Sequence, residues 1–113
     1  MADVDNRDAI RQYVALLGQP EVEQLVDLFA DDATVEDPVG SELRVGREAL
    51  LEFYGTLPDM VDRAEISGPM GGTDTEIAFN FTVHATGGLE MQIIDVMAFD
   101  DDGKITSMRA FWG

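Results

Sequence analysis

The chain has 113 residues, no cysteine, and 23 acidic side chains against 7 basic ones, a formal charge of −16. That length fits one domain, residues 1–113, with a single hydrophobic core, and an apolar fraction of 45% separates it from disordered chains. The charge argues against nucleic acid and membrane-surface partners, and the missing thiols exclude disulfides, thiolate metal sites and cysteine nucleophiles.

The opening MADVDNRDAI is too acidic and polar for a signal peptide. No apolar run approaches the ~20 residues needed to span a bilayer. A cytoplasmic protein is therefore expected. From residue 6 the spacing of Ile10, Tyr13, Val14 and Leu17 predicts an amphipathic helix, with Asn6 as its N-cap and Gly18 as its stop. Pro20 opens a second helix, whose buried face is Val22, Leu25, Val26, Leu28 and Phe29 and whose end is Asp31-Asp32. Ala33 to Val39 alternates, and Pro38 forces Asp37 into an extended conformation. A third helix is predicted from Gly46 to Tyr54, closed by Gly55.

The remainder reads as strands over Val61–Pro69, Glu76–Ala85, Leu89–Phe99 and Lys104–Trp112. Gly71-Gly72, Gly87-Gly88 and Asp102-Gly103 mark the turns between them. Helices first and an antiparallel meander after is an α+β pattern, with the helices covering one face of the sheet. The acidic run Asp100-Asp101-Asp102 lacks the alternating ligands of a calcium loop and reads as a solvated hairpin tip.

Three polar groups stand where apolar ones belong. Asp95 alternates with Leu89, Met91, Ile93, Met97 and Phe99 on one face of its strand. An ionised carboxylate there faces a large desolvation cost, which is avoided if the group stays protonated and becomes a hydrogen-bond donor. A bulge that turns it outward, or a cation that pairs with it, satisfies the pattern equally well. Asp37 lies in step with Ala33, Val35 and Val39, although Asp before Pro is also a common turn former. Glu36, its neighbour, should point outward. Tyr13 sits in the middle of the first helix stripe, either as core packing or with its hydroxyl facing Asp95. Together the three describe two neutral donors and one carboxylate in an apolar cavity. Two such donors stabilise an enolate oxygen without a metal, while the carboxylate moves a proton beside the carbonyl.

Other chemistry finds less support. His84 alternates with Asn80 and Thr82 and reads as exposed; one histidine without cysteine makes a poor transition-metal set. No serine has a nucleophile-elbow context, and Gly68 to Gly72 is not a phosphate loop.

Four segments carry a likeness over nearly the whole chain: RQYVALL around Tyr13, LFADDATVEDPVGSE through Asp37, GREALLEFY ending at Tyr54, and IIDVMAFDDDGKITSMRAFW around Asp95. In these the chain resembles the ketosteroid isomerase (steroid Δ-isomerase) family. The resemblance implies a cone-shaped α+β fold of the nuclear transport factor 2-like, cystatin-like kind, with three N-terminal helices packed on a curved, mainly antiparallel sheet. It implies a small-molecule steroid substrate, no cofactor, no metal, and a homodimer. By the same resemblance Asp37 is the general base that carries a proton from carbon 4 to carbon 6 of a 3-oxo-Δ5-steroid. Tyr13 and a protonated Asp95 are the donors to the carbon-3 oxygen. Tyr54 hydrogen-bonds Tyr13, and Phe29 stands where some members have a further tyrosine. Phe53, Phe81, Met108 and Trp112 line the substrate pocket, where Trp112 either donates its N–H to Asp37 or packs in the core. The segment from Thr56 to Thr75 departs from the family pattern. A non-catalytic apolar-ligand module and a polyketide cyclase-like enzyme share the fold and are the rival functions; a dehydratase of this fold would want catalytic histidines.

Overall fold

The structure, a computed structural model, describes residues 5–112. Met1 to Val4, the start of the segment read as unsuited to a signal peptide, and Gly113 lie outside the described residues. The fold is α+β: helices α1 (Asn6–Leu16), α2 (Val22–Val26) and α3 (Arg47–Gly55) lie on a curved six-stranded sheet. Its strands are β1 (Phe29–Glu36), β2 (Leu43–Val45), β3 (Val61–Gly72), β4 (Glu76–Ala85), β5 (Glu90–Phe99) and β6 (Ile105–Trp112), in the order β2-β1-β6-β5-β4-β3. Only β1 and β6 run parallel; every other pairing is antiparallel. No helix among the described residues is long and apolar enough to cross a membrane.

Helix α1 forms where the apolar stripe predicts it, but its cap lies one residue earlier. Asp5 is the N-cap, and its carboxylate accepts from the Arg7 amide at 3.0 Å. Asn6 is the first helical residue and donates instead to the Asp74 carbonyl, which ties α1 to the β3–β4 turn. At the other end Gly18 takes φ +78°, and a Cβ there would meet the Val61 carbonyl oxygen at 2.4 Å. Only glycine lets the chain leave the helix so close to β3.

Helix α2 departs from expectation. It ends at Val26 and not at Asp31-Asp32, because Phe29 is drawn into β1. The Leu28 carbonyl accepts from the Ile105 amide at 2.9 Å, and Phe29 lies beside Ile105. An apolar run this short satisfies helix and strand alike, and the edge of β6 decides between them. A register shift between Phe29 and Thr34 then leaves Asp31 and Asp32 in solvent and returns Ala33 and Val35 to the core.

The meander follows the predicted strands closely. Two departures stand out. Gly71-Gly72, expected as a turn, is paired with Ala78 and Ile77 at the end of β3, so the turn falls after it. The other is that β5 begins at Glu90, which leaves Leu89 exposed in the turn. At the β5–β6 tip the Asp100 carboxylate accepts from the amides of Asp102 and Lys104, so the acidic run is a self-capped turn. Inward residues of β4 and β5 (Ile77, Phe79, Phe81, Ile93, Met97) meet Ile10, Val14 and Leu50 from the helices to form the core. His84 differs from its expected exposure. It stands on the outer sheet face with its side chain 19% exposed, its ring nitrogens 2.6 Å from Glu65 and 3.3 Å from Glu90.

Candidate active site

Between the helices and the wide end of the sheet lies an apolar cavity of about 270 Å³. Its walls come from Tyr13 and Leu17 of α1, Phe53 of α3, and Phe81, Met91 and Ile93 of the meander. Met60 and Trp112 stand at its rim, each more than half exposed. Asp37 is the carboxylate among its lining residues.

Asp37 follows β1 directly. The chain stays aligned with β6 through the Val39 amide, which donates to the Ala110 carbonyl at 2.8 Å. The Trp112 indole N–H donates to Asp37 Oδ1 at 2.8 Å. Burial pushes the Asp37 carboxyl above the usual aspartate range, and the Trp112 N–H and the positive charge of Arg44 pull in the opposite direction. Its neighbour Glu36 points away, accepting from the Gly40 amide and from Arg109.

The deep end of the cavity is drier. Tyr13 is 1% exposed, and its hydroxyl oxygen lies 2.9 Å from that of Tyr54, one donating to the other. Burial raises the pKa of both phenols well above the ordinary value, so both stay protonated. Their rings meet edge to face at 5.9 Å, and Phe29 packs against Tyr13 at 6.0 Å, closing this wall with carbon where a hydroxyl would extend the network.

Asp95 sits one inward position beyond Ile93, flanked in the sheet by Phe79 and Ala110. It is 1% exposed, and neither carboxyl oxygen has a hydrogen-bond partner among the described residues. No bulge turns it out, and no cation among the described residues pairs with it. Burial, with the charge of Asp37 adding to it, holds its pKa well above the ordinary aspartate value. An ionised group there would cost several kcal/mol of desolvation with nothing to offset it, so the folded chain keeps the acid neutral.

The structure therefore gathers Tyr13, Asp37, Phe53, Phe81 and Trp112 on one cavity, with Tyr54 bonded to Tyr13 behind it. Asp95, buried one inward position beyond the lining residue Ile93, is not itself among the lining residues. Met108 is a correction. It is buried opposite Met97 and Val35, one inward position along β6 from Ala110 and two from Trp112, and it does not line the cavity. Leu17, Met91 and Ile93 do line it, and their inward periodicity is visible in the sequence. Met60 and Val61, at the start of the strand expected from Val61, come from the segment that departs from the family pattern.

Residues 10–108 match the SnoaL-like domain family. A steroid Δ-isomerase of Nocardioides simplex is 40% identical over 107 residues, 92% of this chain and 86% of that one. The epoxide hydrolase LasB of Streptomyces lasalocidi is 28% identical; the match takes in 99% of this chain but 43% of that protein. The solved structure of SalBIII, an epoxide hydrolase/cyclase-like enzyme with a role in pyran ring formation in the polyether salinomycin, superposes with a TM-score of 0.81. It shares 25% identity, covering 96% of this chain and 90% of that one. With the family match spanning most of its length and an isomerase relative at this identity, the chain belongs to the ketosteroid isomerase family, built on the SnoaL-like domain.

Proposed function

We propose that the protein is a steroid Δ-isomerase that converts 3-oxo-Δ5-steroids to the conjugated 3-oxo-Δ4 isomers. The observation that supports this most is the division of the two inward carboxyl groups. One is fully buried with no partner for either oxygen among the described residues; the other is half-buried, held by an indole N–H, on the cavity wall.

In the reaction, a Δ5-3-ketone enters with its oxygen toward Tyr13 and Asp95. The Asp37 carboxylate takes a proton from carbon 4, and that C–H electron pair moves into the ring as the carbon-3 oxygen gains negative charge. The Tyr13 hydroxyl and the Asp95 carboxylic acid donate to that oxygen, in a setting where water does not compete. Tyr54 donates to Tyr13, which leaves the Tyr13 proton free for substrate. Asp37, now protonated, returns the proton to carbon 6, the carbon 4–5 double bond forms, and the carbonyl reforms. Nothing is consumed, and one carboxylate serves as base and then acid.

The test is ultraviolet absorbance of the conjugated enone on incubation with a Δ5-3-ketosteroid. Turnover lost in Asp37→Asn with steroid binding retained is the expected result; full activity in that variant removes the assigned base. The SalBIII and LasB relatives favour a second reading, acid–base chemistry on an epoxide. An epoxide-bearing polyether precursor assayed beside the steroid separates the two. Tight steroid binding without product from either substrate would make the chain a binding module.

A further inference from the structure

Beside the cavity, one cation stands in an unusual place. Arg44 belongs to the short edge strand β2, opposite Val35 of β1 and so close to the point where the chain turns into Asp37. Its guanidinium carbon lies 4.3 Å from the centroid of the Phe53 ring, and Phe53 lines the cavity that holds Asp37. Its polar contact is to the backbone carbonyl of Glu42 at 3.4 Å. In a chain with 23 acids and 7 bases, no carboxylate of the described residues lies within 4.0 Å of it, whereas Arg11, Arg47, Arg63 and Arg109 all have one.

We propose that Arg44 is a positioning residue of this site, whose guanidinium, racked on the Phe53 ring, supplies a fixed positive field at Asp37 without closing an ion pair with it. The proposal rests on the reading of Asp37 as the base. A base in an apolar cavity needs its charge supported, and a directly bridging guanidinium would occupy the oxygens that must accept the proton. The ring resolves that conflict: a planar cation stacks on an aromatic face and is held there. The groups facing Asp37 set the balance. From β6 the Trp112 N–H favours the ionised form. From α1, α3 and β5 come Tyr13, Tyr54 and Asp95, all kept neutral by burial. Glu36 beside it is taken up by Gly40 and Arg109. Arg44 is then the full positive charge that acts on the base, and its pull runs against the effect of burial.

The experiment compares Arg44→Gln with Arg44→Lys. The Asp37 side-chain carboxyl is followed by carbon-detected NMR through a pH titration of the free protein, assigned with Asp37→Asn, and kcat/KM is followed over the same range. In Arg44→Gln the titration midpoint of Asp37 is expected to move to higher pH, and kcat/KM on the acid limb to fall about threefold relative to its own plateau. Arg44→Lys, which keeps the charge, is expected to recover most of both changes. An unmoved midpoint in Arg44→Gln overturns the proposal, and so does an equal upward shift in Arg44→Lys, which would make the role one of shape. The NMR titration needs no substrate. A wild-type protein without steroid turnover would defeat the isomerase reading, while the titration still decides what Arg44 does to Asp37.

Discussion

Asp95 and Asp37 are the same side chain in two solvents. Asp95 is buried between Phe79 and Ala110 in the sheet, with no partner for either oxygen among the described residues. Asp37 reaches the same cavity from its margin, with an indole N–H on one oxygen, a stacked guanidinium nearby and solvent within reach. Burial acts on both in the same direction, but only the margin supplies opposing groups. On the proposed reading, one acid is kept as a neutral donor and the other remains available as a base. One residue type then serves two functions because β1 and β5, distant in the chain, bring the two side chains to different depths of hydration.

The comparison breaks first at Asp37. Asp37→Asn removes the base but keeps the shape and the Trp112 contact surface, so turnover of a Δ5-3-ketosteroid is expected to fall about a thousandfold or more. Equilibrium binding of a product steroid should survive. At the deep end, Tyr13→Phe deletes one of two donors and orphans Tyr54; a loss of about a hundredfold in kcat is expected, with KM changed little. If Tyr13→Phe costs more than Asp37→Asn, the division of labour between margin and depth is wrong.

Asp95→Asn sharpens the comparison through stability. The folded chain holds the Asp95 proton at a pH where the unfolded chain, titrating near ~3.9, has released it. Between those two values the folded state binds more protons, so stability falls as pH rises through the window. Asparagine does not titrate. The melting temperature of Asp95→Asn is therefore expected to gain on the wild type as pH rises from about 4 to neutrality, and the two to converge below it. An Asp95→Asn variant that instead loses ground to the wild type over that range would mean that Asp95 is ionised in the fold.

Much of this gradient is legible in the sequence. Alternation alone places Asp95 among Ile93, Met97 and Phe99, because a two-residue period leaves a strand residue only one side to face. The first helix stripe likewise fixes the inward direction of Tyr13 and Leu17. What could not be read is where two elements meet. Phe29 has the same apolar neighbours whether it ends α2 or begins β1, and only the unpaired edge of β6 decides. Met108 shares its inward face with Trp112, yet the strand carries it past the cavity into the core opposite Met97. Arg44 offers no periodic signal at all, since its role depends on a ring nine residues later in another element.

Trp112 gives the smallest effect and the finest test of the margin. Its indole is 52% exposed, so its packing contributes little, and what it supplies is one N–H to Asp37 Oδ1. Trp112→Phe keeps an aromatic ring at the rim and deletes that donor. The lost hydrogen bond favoured the ionised carboxylate, so the Asp37 midpoint should move to higher pH and the acid limb of kcat/KM with it. The plateau at higher pH, where the base is ionised with or without the donor, should drop only about twofold. The deep end should not notice: the Asp95→Asn stability difference should be the same in the Trp112→Phe background, as expected for sites that share no hydrogen bond. If the two substitutions couple strongly even at a pH where Asp37 is ionised in both backgrounds, Trp112 reaches Asp95 by more than the charge of Asp37, and margin and depth act as one unit.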